Sequence, residues 1–249
     1  MTTSFDDILS TFRPISLSDM DPVKLMTRTD EKYVCRISQL REIFEKARPD
    51  FQVLEHTGKR VLKYETCYLD TKAHDMFLMH HNGKLSRYKI RFRKYVDSQD
   101  VYFEIKYKDN RRMTTKQRIP AGPYFDFHTD AIRSFMAGRT CYTPDQLEPV
   151  LTSSFQRITV VNTGLQERIT IDINPAWQTG DRRINLPAVA ILEVKSGRTI
   201  NSAGFGYLLR EARIMPLRIS KYCIGTALLY PEIKHNRFKS KLLLLKKLE

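Results

Sequence analysis

Between Ser86 and Pro120 the chain reads SRYKIRFRKYVDSQDVYFEIKYKDNRRMTTKQRIP, and this stretch admits few folds. Arg87, Lys89, Arg91 and Arg93 occupy alternate positions, with Tyr88, Ile90 and Phe92 between them. Side chains two apart on a strand share a face, so this run as a strand has one cationic face and one apolar face. The alternation recurs, with Val101, Phe103, Ile105 and Tyr107 against Tyr102, Glu104, Lys106 and Lys108. A third run places Thr114, Lys116 and Arg118 together. Polar gaps at Val96–Asp100 and Asp109–Arg112 supply the turns. The segment predicts a three-strand antiparallel meander with a basic face.

A solvated strand face ordinarily mixes Glu, Thr, Ser and Lys. Like charges stacked along one face repel. Four successive cations, with three more on the next two strands, therefore call for a polyanion, and the planar fork of arginine suits phosphate. The whole chain leans the same way: 42 Lys and Arg face 28 Asp and Glu across 249 residues, a formal charge of +14. Anionic small molecules or polymers, nucleic acid and acidic membrane surfaces are the partner classes this charge admits.

Cys35, Cys67, Cys141 and Cys223 are widely spaced and form no CxxC pair, so they read as reduced thiols of a cytoplasmic protein rather than a zinc site or disulfide framework. The N-terminus carries acids and no apolar core, and no run reaches the roughly 18 apolar residues of a membrane span. The expectation is one domain over 1–249, with a core at about 20–230 and a basic helical tail at 232–249. Helices are predicted over 4–12 with Ser4 as cap, from Ser38 to Pro49, over FDFHTDAIRSFMAG, over PDQLEPVLTSSF, and over Asn201–Ile214 and Ser220–Tyr230. Strands are predicted at 28–36, 61–69, 155–162, 167–174 and 188–195, with Ile191, Glu193 and Lys195 sharing a face.

In order, the chain presents RTDEKY, YETCYLDT, KIRFRKY, FEIKYK, TTKQR, RITIDIN, ILEVKSG and RISKY. Together these resemble the vacuolar transporter chaperone (VTC) catalytic domain, of the CYTH or triphosphate tunnel metalloenzyme superfamily. The resemblance implies an α+β fold: an antiparallel β-barrel tunnel, polar faces inward, with helices packed outside. It implies an ATP-dependent polyphosphate polymerase with Mn²⁺ or Mg²⁺ as cofactor and ATP and inorganic polyphosphate as partners. A nucleic-acid binder is the disfavoured alternative, and no nucleic acid is expected, because the aromatics that interleave the basic strands fall on the face opposite the cations. By motif, Lys32, Arg91, Arg93, Lys106, Lys116, Arg118 and Arg168 match substrate-binding cations, Glu193 the metal carboxylate, and Lys221 a catalytic lysine. Arg91 and Arg93 share in catalysis. Arg87, Lys89, Lys195 and Glu104 join by alternation, Glu104 as a second metal ligand, and Arg157 as a weaker candidate.

The first strand departs from the family pattern. It reads TDEKY where tunnel triphosphatases carry ExExK, which favours a polymerase over a hydrolase. A tunnel triphosphatase or polyphosphatase, and a non-catalytic sensor of polyphosphate or nucleotide, stand as alternatives. Lys221 is read as an electrostatic clamp, with a neutral amine nucleophile as the other option. No sensor domain is expected ahead of the core, and any membrane passage of product would need a separate membrane protein.

Overall fold

The computed structural model describes residues 5–20, 29–111, 113–122, 126–197 and 204–249. Ser4, Arg28 and the 201–203 part of the predicted helices and strands lie outside these. The meander forms as read: β5 (Arg87–Tyr95), β6 (Val101–Lys108) and β7 (Thr114–Pro120). They join β2 (Thr29–Arg36), β4 (Leu62–Asp70), β8 (Glu148–Asn162), β9 (Glu167–Thr179) and β11 (Val189–Ser196) in the order β2-β11-β9-β8-β4-β5-β6-β7. Every pairing along that path is antiparallel. Short strands β1 (Arg13–Ile15), β3 (Gln52–Leu54) and β10 (Arg182–Asn185) extend it.

The sheet curls until its two ends face each other. Lys106 on β6 feels the charges of Lys32 on β2 and Glu193 on β11, and one cavity is lined from both ends. Among the described residues β2 and β7 do not pair, so the barrel is an open tunnel rather than a hydrogen-bonded ring.

Register fixes which side chains look inward. Lys32, Glu193, Thr170 and Thr159 line up across β2, β11, β9 and β8. Tyr68, Arg91, Glu104 and Arg118 line up across β4 to β7. The opposite faces are apolar. Cys35, Ile158, Ile169, Ile171 and Leu192 pack beneath α1 (Asp6–Ser10), α2 (Leu40–Ala47) and α5 (Phe205–Glu211). Ile90, Phe92, Phe103 and Ile105 pack against α4 (Asp130–Met136), with Met76 of α3 (Asp75–His81). Burying one such side chain fully is worth about 1.5–3 kcal/mol, so these outer cores hold the curl.

One helix departs from the outside placement. α6 (Lys221–Leu229) lies over one end of the inner face, where Tyr222 stacks on inward-facing Tyr68 at 5.1 Å. Val34, Leu151 and Ile191, also inward-facing, belong to the same cluster. Gly225 makes this docking possible: a Cβ there would run into the Trp177 indole. Gly225→Ala is expected to lower stability by about 1–3 kcal/mol through overpacking, read as a lower urea midpoint with unchanged slope.

Two sequence expectations need correction. PDQLEPVLTSSF is not a helix; it holds a 3₁₀ turn at Pro144–Gln146 and then the first half of β8. Its Val150, Leu151 and Thr152 have strand propensity, and β4 offers a full-length partner. Ser38 does not cap α2; it sits inside a 3₁₀ turn, Ile37–Gln39, with Gln39 at the cap position. The tail forms α7 (Lys239–Leu248), docked through Phe238 and Leu245 on the α6 cluster.

Candidate functional site: a cationic tunnel

The inner face holds three groups of charges, each assembled across strands. In the first, Glu104 is almost fully buried and carries Arg91 Nη2 at 2.7 Å on one oxygen and Lys116 Nζ at 2.5 Å on the other. Burial alone would push its carboxyl up, but Arg91, Arg93 and Lys116 hold it at about 2. In the second, Arg157 Nε and Nη2 donate to the two oxygens of Asp172 at 2.6 and 2.8 Å. Lys221 Nζ, at the first turn of α6, bonds the same carboxylate. Again burial is overridden, here by Arg157 and Lys221, and Asp172 titrates at about 2. In the third, Glu193 meets Lys195 at 3.0 Å and Lys32 at 3.7 Å, and stays ionised well below the ordinary range.

The remaining predicted residues fall around these groups. Lys89 Nζ donates to Ser220 Oγ at 2.8 Å, and Ser220 also caps α6 by accepting from Cys223 N. Arg93 lies on the inner face with its Nε buried and without a hydrogen-bond partner among the described residues. The hydroxyls of Thr66 and Ser153, at cross-strand positions beside it, are likewise without partners. Lys106 faces Lys116 across β6 and β7, and Arg168 faces Lys195 across β9 and β11. Arg87 lies at one mouth, with its guanidinium on the Lys84 carbonyl at 2.8 Å. Arg118 lies towards the other, 4.3 Å over the Tyr102 ring. That mouth is aromatic: Tyr64 stacks on Phe155 at 5.4 Å and packs against Tyr95.

Sequence reading underweighted Arg157 and missed Asp172 as its partner. The hairpin register held the signal. Counting five residues away from the turn on each strand, from the closing Asn162–Glu167 pair, brings Arg157 opposite Asp172.

Burial among cations depresses the tunnel lysines. Lys89 falls to about 7, and Lys106 and Lys221 to about 8. Between pH 7 and the usual lysine range, the unfolded chain binds the proton that folded Lys89 has released. Stability of the unliganded protein therefore rises with pH as Lys89 loses its charge. Urea denaturation at pH 6.5 and 8 is expected to show this rise, and Lys89→Met is expected to diminish it.

Among the described residues no group of three or more His, Cys, Asp and Glu could hold a metal ion. Glu104 and Asp172 have their oxygens committed to cations. Glu193 is more accessible, with a quarter of its side chain exposed, and fits a hard cation as one ligand of several.

The described residues thus form an open antiparallel tunnel with apolar outer faces and an inner face lined by arginines and lysines. The VTC domain model matches residues 27–230, and the chain belongs to that family. Among solved structures, PH1819 from Pyrococcus horikoshii OT3 is 15% identical, with 80% of this chain and 99% of that chain covered and a TM-score of 0.44. HpAC1 from Hippeastrum, described as an adenylyl cyclase candidate with a dominant triphosphatase activity, is 11% identical, with 80% and 96% covered and a TM-score of 0.48. No curated protein is matched by sequence.

Proposed function

We propose that the chain is a single VTC-type domain that transfers the terminal phosphoryl group of ATP to a growing polyphosphate chain inside the tunnel. The observation that carries this reading is the state of the tunnel carboxylates. Glu104, Asp172 and Glu193 are ionised and each is bound by two cations. A hydrolase gains from a base that activates or orients its water. The terminal phosphate of a chain is already an anionic nucleophile, and it needs only to be positioned and its transition state neutralised. The interior supplies those two things, and the carboxylates that could serve a hydrolase as base are taken up by cations.

In this mechanism Arg91, Arg93, Lys106 and Lys116 hold the triphosphate from β5 to β7, while Lys32, Arg157, Arg168 and Lys195 face them from the other wall. An oxygen of the acceptor chain attacks the γ-phosphorus in line; the bond from that phosphorus to the β–γ bridging oxygen breaks, and ADP leaves with the bond's electron pair. Lys221, anchored by Asp172, is the electrostatic clamp on the charge that develops. Glu193 would hold Mn²⁺ or Mg²⁺, whose contribution when bound is to neutralise phosphate oxygens. Because successive phosphates are equivalent, the product can shift by one unit and stay bound.

Free Cys35, Cys67, Cys141 and Cys223 agree with a reducing, ATP-supplied cytoplasm as the place of work. Among the described residues no helix is long and apolar enough to cross a membrane. Transfer is tested with ATP labelled in its γ-phosphate and a short polyphosphate primer. Label entering longer chains is expected; label released only as orthophosphate overturns the reading in favour of a triphosphatase. Affinity for tripolyphosphate is expected to fall as pH rises from 7 to 9, because Lys89, Lys106 and Lys221 lose their charge in that window.

A further inference from the structure

At the mouth opposite the aromatic cluster, the tunnel opens into a cavity of about 870 Å³. Its inner wall is Lys32, Lys89, Lys106 and Ser220. Its outer wall adds Arg87, Lys108, Arg218, Arg237 and Lys241. Arg237 and Lys241 come from the C-terminal segment, beyond the 27–230 match.

That segment is fixed in place. Phe238 and Leu245 are buried in the α6 cluster, and the Arg36 guanidinium donates to the carbonyls of Lys247 and Leu248 at 2.9 and 3.1 Å. Lys241 is thereby held near Arg218 and Arg237, whose charges it feels. Among the described residues the acids on this wall are Asp30 and Glu31, and each is already engaged, by Lys195 at 3.3 Å and by the Tyr33 hydroxyl at 2.8 Å. A cluster of cations continuing outward from a phosphate tunnel extends the row of sites beyond what a triphosphate fills.

We infer that Arg218, Lys108 and Lys241 form an outer subsite for the further phosphates of a long polyphosphate chain, with α7 as its wall. The inference rests on the tunnel reading above, and it makes the C-terminal helix part of the substrate path. An outer subsite of this kind discriminates by chain length, because tripolyphosphate is satisfied inside and only a longer polymer reaches it.

The test compares binding of tripolyphosphate and of long-chain polyphosphate, by calorimetry, to wild type, to R218E/K241E, and to R48E. Arg48 is exposed and does not line the cavity. The double variant is expected to weaken long-chain binding about tenfold or more and to flatten its salt dependence. Tripolyphosphate binding should stay within about twofold of wild type, which also shows that the fold is intact. R48E should bind both as wild type does. The milder pair R218A/K241A should weaken long-chain binding in the same direction. Equal loss for both ligands, equal loss in R48E, or no loss at all overturns the outer subsite. Failure of wild type to bind either ligand instead overturns the tunnel reading itself.

Discussion

Arg93→Ala is expected to lower phosphoryl transfer by about two to three orders of magnitude and to leave stability unchanged or slightly higher. A lost electrostatic donor at a transition state has this scale. The stability half follows from the geometry. Arg93 Nε is buried without a hydrogen-bond partner among the described residues, and burial next to Arg91 pushes its guanidinium pKa down. Such a group costs the unliganded protein free energy that a bound phosphate would return. Steady-state kinetics alongside urea unfolding reads both. A variant that loses stability in step with activity would make Arg93 a structural residue.

Glu104→Gln is expected to act the other way round. It leaves Arg91 and Lys116 without their buried counter-charge, and breaking such a pair costs about 3–5 kcal/mol. Tripolyphosphate at about a hundred times its dissociation constant should return about 2.7 kcal/mol by mass action. Both effects should appear with EDTA present, since Glu104 is a charge-balancing residue here and Glu193 the metal candidate. A Glu104→Gln protein with wild-type stability, whose phosphate binding fails only when metal is needed, would restore Glu104 as a metal ligand.

The meander was legible because its alternation is strict and its turns are polar, while the register Arg91–Glu104–Arg118 appears only in the structure. The first half of β8 was not, because Pro149 and the serines of TSSF weaken a strand signal that the long partner β4 supplies. Sequence singled out cations that the structure places on the inner face, but not their partners. Glu104 reads as a possible ligand in an ExK string, and only three-dimensional packing shows it filled by Arg91 and Lys116. Lys221 was found through its motif, while the placement of α6 across the inner face is long-range packing of Tyr222 on Tyr68 and of Gly225 on Trp177. The aromatic mouth was hidden for the same reason: Tyr64, Tyr95 and Phe155 lie on different strands and meet only when the sheet curls.

Incubating the wild-type protein with ATP and Mg²⁺, and following the products by ³¹P NMR, tests phosphate-chain growth most directly. Growth of a mid-chain phosphate signal in step with ADP, lost in Glu193→Ala, is the expected result. ADP accompanied only by orthophosphate, or no turnover by a protein that binds tripolyphosphate tightly, would contradict it.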